Sequence, residues 1–249
     1  MNLLTMKKLA ILGIVLLLGA CRGESIMIVR DIPAEQHAEY ATLIPDLPGM
    51  SVPTRPQMSV VGSMAGGDYY LEGVVQIRIN YDGKDYWWPI YQPLNNQIGY
   101  DTGIPLGYPK VVQPMCHTDD GSYYTFSFGS CEAPELKIQH YTTNRIVTTY
   151  GEAPENDDGT HGFMSLSEDG CLLSSGQTYA NPTDELILRE GFVYLENFLP
   201  QPWADLMPSG FYGGTLAGGT VVPLEEGQTD PNSDIDNPFY PIYEVACGF

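Results

Sequence analysis

Three lysines follow residue 20, at positions 84, 110 and 137, and one of them stands in a setting where a lysine can act as a nucleophile. Lys110 closes the apolar loop Ile104-Pro105-Leu106-Gly107-Tyr108-Pro109 and precedes Val111-Val112. Lysines are ordinarily surface residues, and Lys84, in the Asp82-Gly83 turn, fits that rule. An apolar neighbourhood penalises the charged ammonium and favours the free amine. A free amine adds to a ketone or aldehyde, and loss of water gives an imine whose protonated form is an electron sink. Glu72, in Tyr70-Leu71-Glu72, is the second candidate. A carboxylate there could repel or steer an acidic substrate, or move protons. The plain alternative is a strand-end glutamate in water.

The elements that must carry these two residues read as β-structure. Val74 to Tyr81 alternates with period two, Asp82-Gly83 supplies a hairpin turn, and Tyr86 to Tyr91 returns as the partner strand. Tyr123 to Phe128 and Ile138 to Tyr150 alternate as well. Phe163 to Leu173, Glu185 to Leu195 and the Gly-rich Gly213 to Val222 are further expected strands, with Ser25 to Val29 a short one near the start. Ala34 to Tyr40 reads as a brief helix after Pro33, and Pro45, Pro48, Pro53 and Pro56 break the following segment into extended loop. Many short strands with frequent turns, no repeat and no linker point to one mostly β domain, a barrel or sandwich.

The run Gly107-Tyr108-Pro109-Lys110, within the stretch Tyr69 to Val111, resembles the heart of the acetoacetate decarboxylase family. That family places a Schiff-base lysine directly after a proline and is itself the reference case for lysine activation of this kind. The likeness continues through the Pro-rich segment Phe198 to Pro208 and the Gly-rich strand after it, so that it covers about residues 26–224. It implies a mostly β, barrel-like fold with a few short helices, Lys110 as nucleophile facing the barrel interior, and Glu72 as an active-site carboxylate. No metal or organic cofactor is implied, since the lysine imine does the chemistry. The ligand would be a small carbonyl or carboxylate compound, and the family's tendency to assemble implies a homo-oligomer unless lipidation changes it. Departures are also plain. Val111 stands where the decarboxylases carry a second lysine, Thr102-Gly103-Ile104 replaces their Gly-Arg-Glu run, and Gln57 replaces a glutamate. Their arginine ahead of the first strand falls near Gly23, with only Arg22 close by. Loss of one positioned acid or base typically costs about 10²–10⁴-fold in rate. A binding protein that keeps the barrel and has lost catalysis is therefore the alternative, with Trp88 and Tyr108 as expected pocket walls in either case.

The ends of the chain suggest a location. Lys7-Lys8 followed by the apolar run Leu9 to Leu18 reads as a signal peptide over residues 1–20. The run ends in Leu18-Gly19-Ala20-Cys21, which resembles a lipobox, so cleavage before Cys21 and lipidation of that cysteine are expected. The protein would then be a membrane-anchored lipoprotein on the periplasmic face or the cell surface (at the outer membrane if the host has one), as one domain over 21–249 with an acidic C-terminal extension from about residue 225. The whole chain has 249 residues, with 31 acidic against 11 basic side chains and a formal charge of −20. That excludes nucleic acid as a natural partner. Beyond Cys21 the cysteines are Cys116, Cys131, Cys171 and Cys247. An even count in an exported chain suggests two disulfides. Of the three connectivities we favour Cys116–Cys131, which closes a hairpin-sized loop, with Cys171–Cys247 tying down the C-terminus. No Cys-x-x-Cys pair exists, and the four histidines lack ligand spacing. The stretch Asp230 to Asn237 has oxygen ligands at alternate positions but lacks the glycine and glutamate of a calcium loop, and reads as a solvated acidic loop.

Overall fold

The computed structural model describes residues 22–65, 70–120, 123–149, 162–175, 186–220 and 242–249. Residues 1–21, with Cys21, and the Asp230–Asn237 stretch lie outside them. In chain order the strands are β1 (Arg22–Asp31), β2 (Met50–Ser51), β3 (Gln57–Ala65), β4 (Tyr70–Tyr81), β5 (Lys84–Leu94), β6 (Lys110–Val112) and β7 (Met115–Asp119). They continue as β8 (Tyr123–Gly129), β9 (Pro134–Thr149), β10 (Phe163–Leu166), β11 (Cys171–Ser175), β12 (Leu186–Asn197), β13 (Gly210–Thr220) and β14 (Ile242–Cys247). Helices are few and short among the described residues: α1 (His37–Ala41), α2 (Gln97–Gly103) and α3 (Trp203–Leu206). The mostly β expectation holds.

The strands form one fourteen-stranded sheet with the order β14-β11-β10-β5-β4-β3-β1-β13-β12-β9-β8-β7, with β2 paired to β4 and β6 to β5. Its hydrogen-bonded path runs from β14 to β7 without closing into a ring, so the structure is a curled open sheet and not a true barrel. Most pairs are antiparallel. β6 and β10 are the exceptions, both running parallel to β5. The expected strand Phe163 to Leu173 is in fact two, β10 and β11, folded back on each other around Glu168-Asp169-Gly170. Gly170 supplies the positive φ (71°) that this reversal needs.

The curl buries one face of the sheet. Along β4, Leu71, Val75, Ile77 and Ile79 belong to the main hydrophobic cluster, together with Met58 and Val60 of β3 and Phe126 and Phe128 of β8. Phe126 and Phe128 meet edge to face, with centroids 5.4 Å apart. They lie directly on Gly62 and Gly73, which are paired across β3 and β4. A Cβ at Gly73 would sit 2.3 Å from the Phe128 ring, so these glycines set how closely the two halves of the curl approach. The alternate residues of β4, Glu72, Gln76 and Arg78, point to the opposite face. That face carries buried polar side chains. Arg78 donates to Asp85 (2.9 Å) and to Gln57 (2.7 Å), and Gln57 donates to Asp31 (2.7 Å).

Both disulfides form as expected, Cys116–Cys131 with Cα atoms 5.6 Å apart and Cys171–Cys247 at 4.0 Å. The second locks β11 to β14, where the two cysteines are register partners.

Candidate active site

Lys110 opens β6, and β6 is laid beside β5 in parallel, with Gln92 opposite Lys110. The chain reaches that position through α2 and a 3-10 turn, Ile104–Leu106. Asn96 caps α2, its side-chain oxygen accepting from the Gly99 amide at 3.1 Å. Gly107, with φ +81°, then turns the chain back so that Tyr108-Pro109-Lys110 run along β5. The next pairing along β5 brings in Glu72, which lies across from Leu94 on β4. Lys110 and Glu72 are 38 residues apart in sequence and come together only because β5 lies between their strands.

The lysine amine is in contact with the carboxylate. Lys110 Nζ donates to Glu72 Oε1 at 2.6 Å, and the Lys110 side chain is 8% exposed against 18% for Glu72. The same oxygen accepts a second hydrogen bond, from Gln92 Nε2 at 2.8 Å. Tyr70 OH stands 3.5 Å from Nζ, and the Tyr108 ring centroid lies 5.9 Å from it, within cation–π range. The stem of the lysine passes under the last residue of α2. A Cβ at Gly103 would fall 2.2 Å from Lys110 Cε and 2.4 Å from Cδ. Gly99, one turn earlier, meets the Tyr70 ring and Leu94 in the same way. The helix is thus seated on the site through two glycines four residues apart.

The site lies on the face of β4 opposite the main hydrophobic cluster. This corrects the expectation that Lys110 points into a barrel core. Trp88 does not join it: it pairs with Ile77 and packs against that cluster, on the other face of the sheet from Glu72. Tyr108 does join it. Val111, in the position of the decarboxylases' second lysine, is 42% exposed and turned away. Gln57 is engaged with Arg78 and Asp31, and so serves the neighbouring polar network. Two members of the site, Tyr70 and Gln92, were not singled out by sequence reasoning. Tyr70 stands two residues before Glu72 and could have been found by strand alternation. Gln92 gives no sequence signal, because an amide in a β-strand ordinarily reads as an outward residue. Cys171, Cys247 and Glu244 lie close enough together to resemble a metal cluster, but the two sulfurs are bonded to each other.

Fourteen chains of solved structures match this fold. An acetoacetate decarboxylase from Legionella pneumophila superposes with a TM-score of 0.55 at 14% identity, covering 92% of this chain and 88% of that one. This is an acetoacetate decarboxylase-like fold. An acetoacetate decarboxylase-like enzyme from Sphingomonas wittichii RW1 matches with a TM-score of 0.51 at 11% identity, over 81% of this chain and 90% of its own. The enduracididine biosynthesis enzyme MppR, in complex with pyruvate, matches with a TM-score of 0.54 at 12% identity, over 81% and 87%. No protein-family model matches the sequence, and no curated protein matches it.

Proposed function

We propose that the protein forms a Schiff base between Lys110 and a small carbonyl compound, a keto acid or a relative of one, and acts on it as a lyase. The observation that carries this reading is the buried Lys110 amine held 2.6 Å from Glu72. In this scheme the ammonium passes a proton to Glu72 Oε1. The freed lone pair on Nζ attacks the carbonyl carbon, and the carbonyl π electrons move to oxygen. The carbinolamine oxygen takes one proton from nitrogen and one back from Glu72, and leaves as water. An ammonium and a carbonyl become a protonated imine and water, with no change in oxidation state. The imine can then accept the electron pair of a breaking C–C bond, and Glu72 is placed to return a proton to the carbon.

A second reading is favoured by one observation. Val111 supplies no cation beside Lys110, so the site has fewer charged groups than a decarboxylase would use. A binding protein that holds its ligand in place, reversibly or as an imine, accommodates this. The two readings separate on product release. Incubation with acetoacetate, other keto acids and small hydroxycarbonyl compounds should yield a C–C cleavage product if the site turns over, carbon dioxide in the case of a keto acid, at a rate abolished by Lys110→Ala. Binding without release, under conditions where the imine can be trapped, would support the second reading and sink the first.

We also propose that Cys21 is lipidated and tethers the domain to a membrane. Arg22 already lies in β1, so the anchor would precede the first residue of this interior strand, where Arg22 pairs with Thr220. Ser25 pairs with Ser63 and Ser63 with Glu72, so the glutamate lies in a row three residues, about 10 Å, along β1 from Arg22. Among the described residues no helix is long and apolar enough to cross a membrane. Partition of the full chain into detergent, lost in Cys21→Ser, tests the anchor.

A further inference from the structure

We infer that the preferred ligand of the Lys110 site is an uncharged carbonyl compound bearing a hydrogen-bond donor next to the carbonyl, a hydroxyketone or hydroxyaldehyde, and not a keto acid; this rests on Lys110 acting as the nucleophile. The inference comes from the hydrogen-bonding capacity left over in the site. Gln92 is 7% exposed, and its Nε2 is spent on Glu72. Its carbonyl oxygen, Oε1, is buried and has no hydrogen-bond partner. A buried acceptor left unpaired is costly, and a ligand that supplies a donor recovers that cost. Further along the same face of β4, Gln76 is 1% exposed and its Oε1 likewise lacks a partner. Two buried amide oxygens on this face therefore lack a donor.

A carboxylate ligand meets the opposite of what it needs. It would bring acceptor oxygens toward the acceptor oxygen of Gln92 and toward the negative charge of Glu72. The lysine cation is already paired with that glutamate. The other described cations whose side chains are placed are engaged or remote. Arg30 donates to Gln36 and the Leu206 carbonyl, Arg55 to Asp31, and Arg78 to Asp85 and Gln57. Lys137 lies 3.9 Å from Glu196, and Lys84 is exposed at its turn. A hydroxyl group has no charge to neutralise and donates where Gln92 accepts. Gln92 is thus a specificity-determining residue: it holds Glu72 with one end of its amide and selects the ligand with the other.

Three carbonyl compounds of nearly equal size separate the possibilities: hydroxyacetone, butanone and pyruvate. Each is incubated with the soluble protein and reduced with borohydride, and labelling of Lys110 is divided by labelling of N-acetyl-lysine under the same conditions. This removes the intrinsic electrophilicity of each carbonyl. The expected order is hydroxyacetone first, by about five- to tenfold over butanone, the worth of one satisfied hydrogen bond, with pyruvate last. In Gln92→Met, which also releases Glu72, both labelling rates should fall, and the ratio of hydroxyacetone to butanone labelling should drop to about one. Equal normalised labelling by hydroxyacetone and butanone, or pyruvate leading, would overturn the inference and leave the nucleophilic lysine standing. Absence of Lys110 labelling by all three would overturn the nucleophile itself, and this inference with it. The wild-type comparison needs no variant, so it stands even if Gln92→Met folds poorly.

Discussion

Replacing Gly103 by alanine tests the geometry of the site without touching any group that does chemistry. The added methyl would lie 2.2 Å from Lys110 Cε, 2.4 Å from Cδ and 3.1 Å from Nζ. Carbon atoms attract at about 3.5 Å or more, so the lysine stem must retreat by roughly 1.3 Å. That is enough to break a 2.6 Å contact with Glu72. The stem is flexible, so the fold itself should absorb much of the clash. Overpacking costs about 1–3 kcal/mol, and exchanging glycine for alanine in a helix returns up to about 1 kcal/mol. A melting temperature lowered by only a few degrees is expected. Imine formation should suffer far more, because a misplacement of about 1 Å can cost on the order of 100-fold. The assay is the initial rate of borohydride-trapped label at Lys110, alongside a thermal melt. If Gly103→Ala forms the imine at the wild-type rate while remaining folded, the lysine does not depend on the pose described, and the reasoning fails.

Other perturbations have equally definite expectations. Breaking the buried Arg78–Asp85 pair (2.9 Å) with Asp85→Ala should cost about 3–5 kcal/mol, since it strands a charge inside the fold; urea unfolding measures it, and a change within 0.5 kcal/mol would count against it. Preventing the Cys171–Cys247 bridge, which spans 76 residues, should cost about 4 kcal/mol by loop entropy, more than preventing Cys116–Cys131 across 15; paired Cys→Ala variants compared by denaturation would expose the reverse order. Tyr40 is fully buried with its hydroxyl donating to the Gln57 and Arg78 carbonyls, and burial, the largest cause, pushes its phenol well above 10. Its folded-state value is raised, so its contribution is intact below pH 10 and is lost as pH climbs from there toward the folded value. The slope is about 1.4 kcal/mol per pH unit. Tyr40→Phe should flatten that alkaline loss, and an unchanged pH profile of unfolding would refute the assignment.

Much of this could be read from the sequence where side-chain periodicity meets turn chemistry. β4 and β5 were legible because Val74 to Tyr81 alternates and Asp82-Gly83 then turns the chain. The reversal inside Phe163 to Leu173 was also written there, in Glu168-Asp169-Gly170, but an apolar run on either side masked it. Alternation reveals that neighbours face opposite ways without saying which face a later strand will cover, and Trp88 was placed at the pocket for that reason. The Lys110–Glu72 pair was reached through family likeness, not through spacing, because two residues 38 apart meet only when β5 lies between them. Gln92 and Gly103 were not legible at all. Their roles depend on a parallel pairing and on a helix lying against a lysine stem, and both are set by tertiary packing and not by local pattern.

The central claim is that Lys110 is a live nucleophile, and mapping a trapped imine tests it most directly. The soluble domain is incubated with small ketones, aldehydes and keto acids, reduced with borohydride, digested, and each lysine-bearing peptide is weighed. The account predicts one adduct, on the peptide containing Lys110, absent in Lys110→Ala and slowed by about 10²–10⁴-fold in Glu72→Gln. Adducts spread evenly over Lys84, Lys110 and Lys137, or no adduct from any carbonyl, would contradict it.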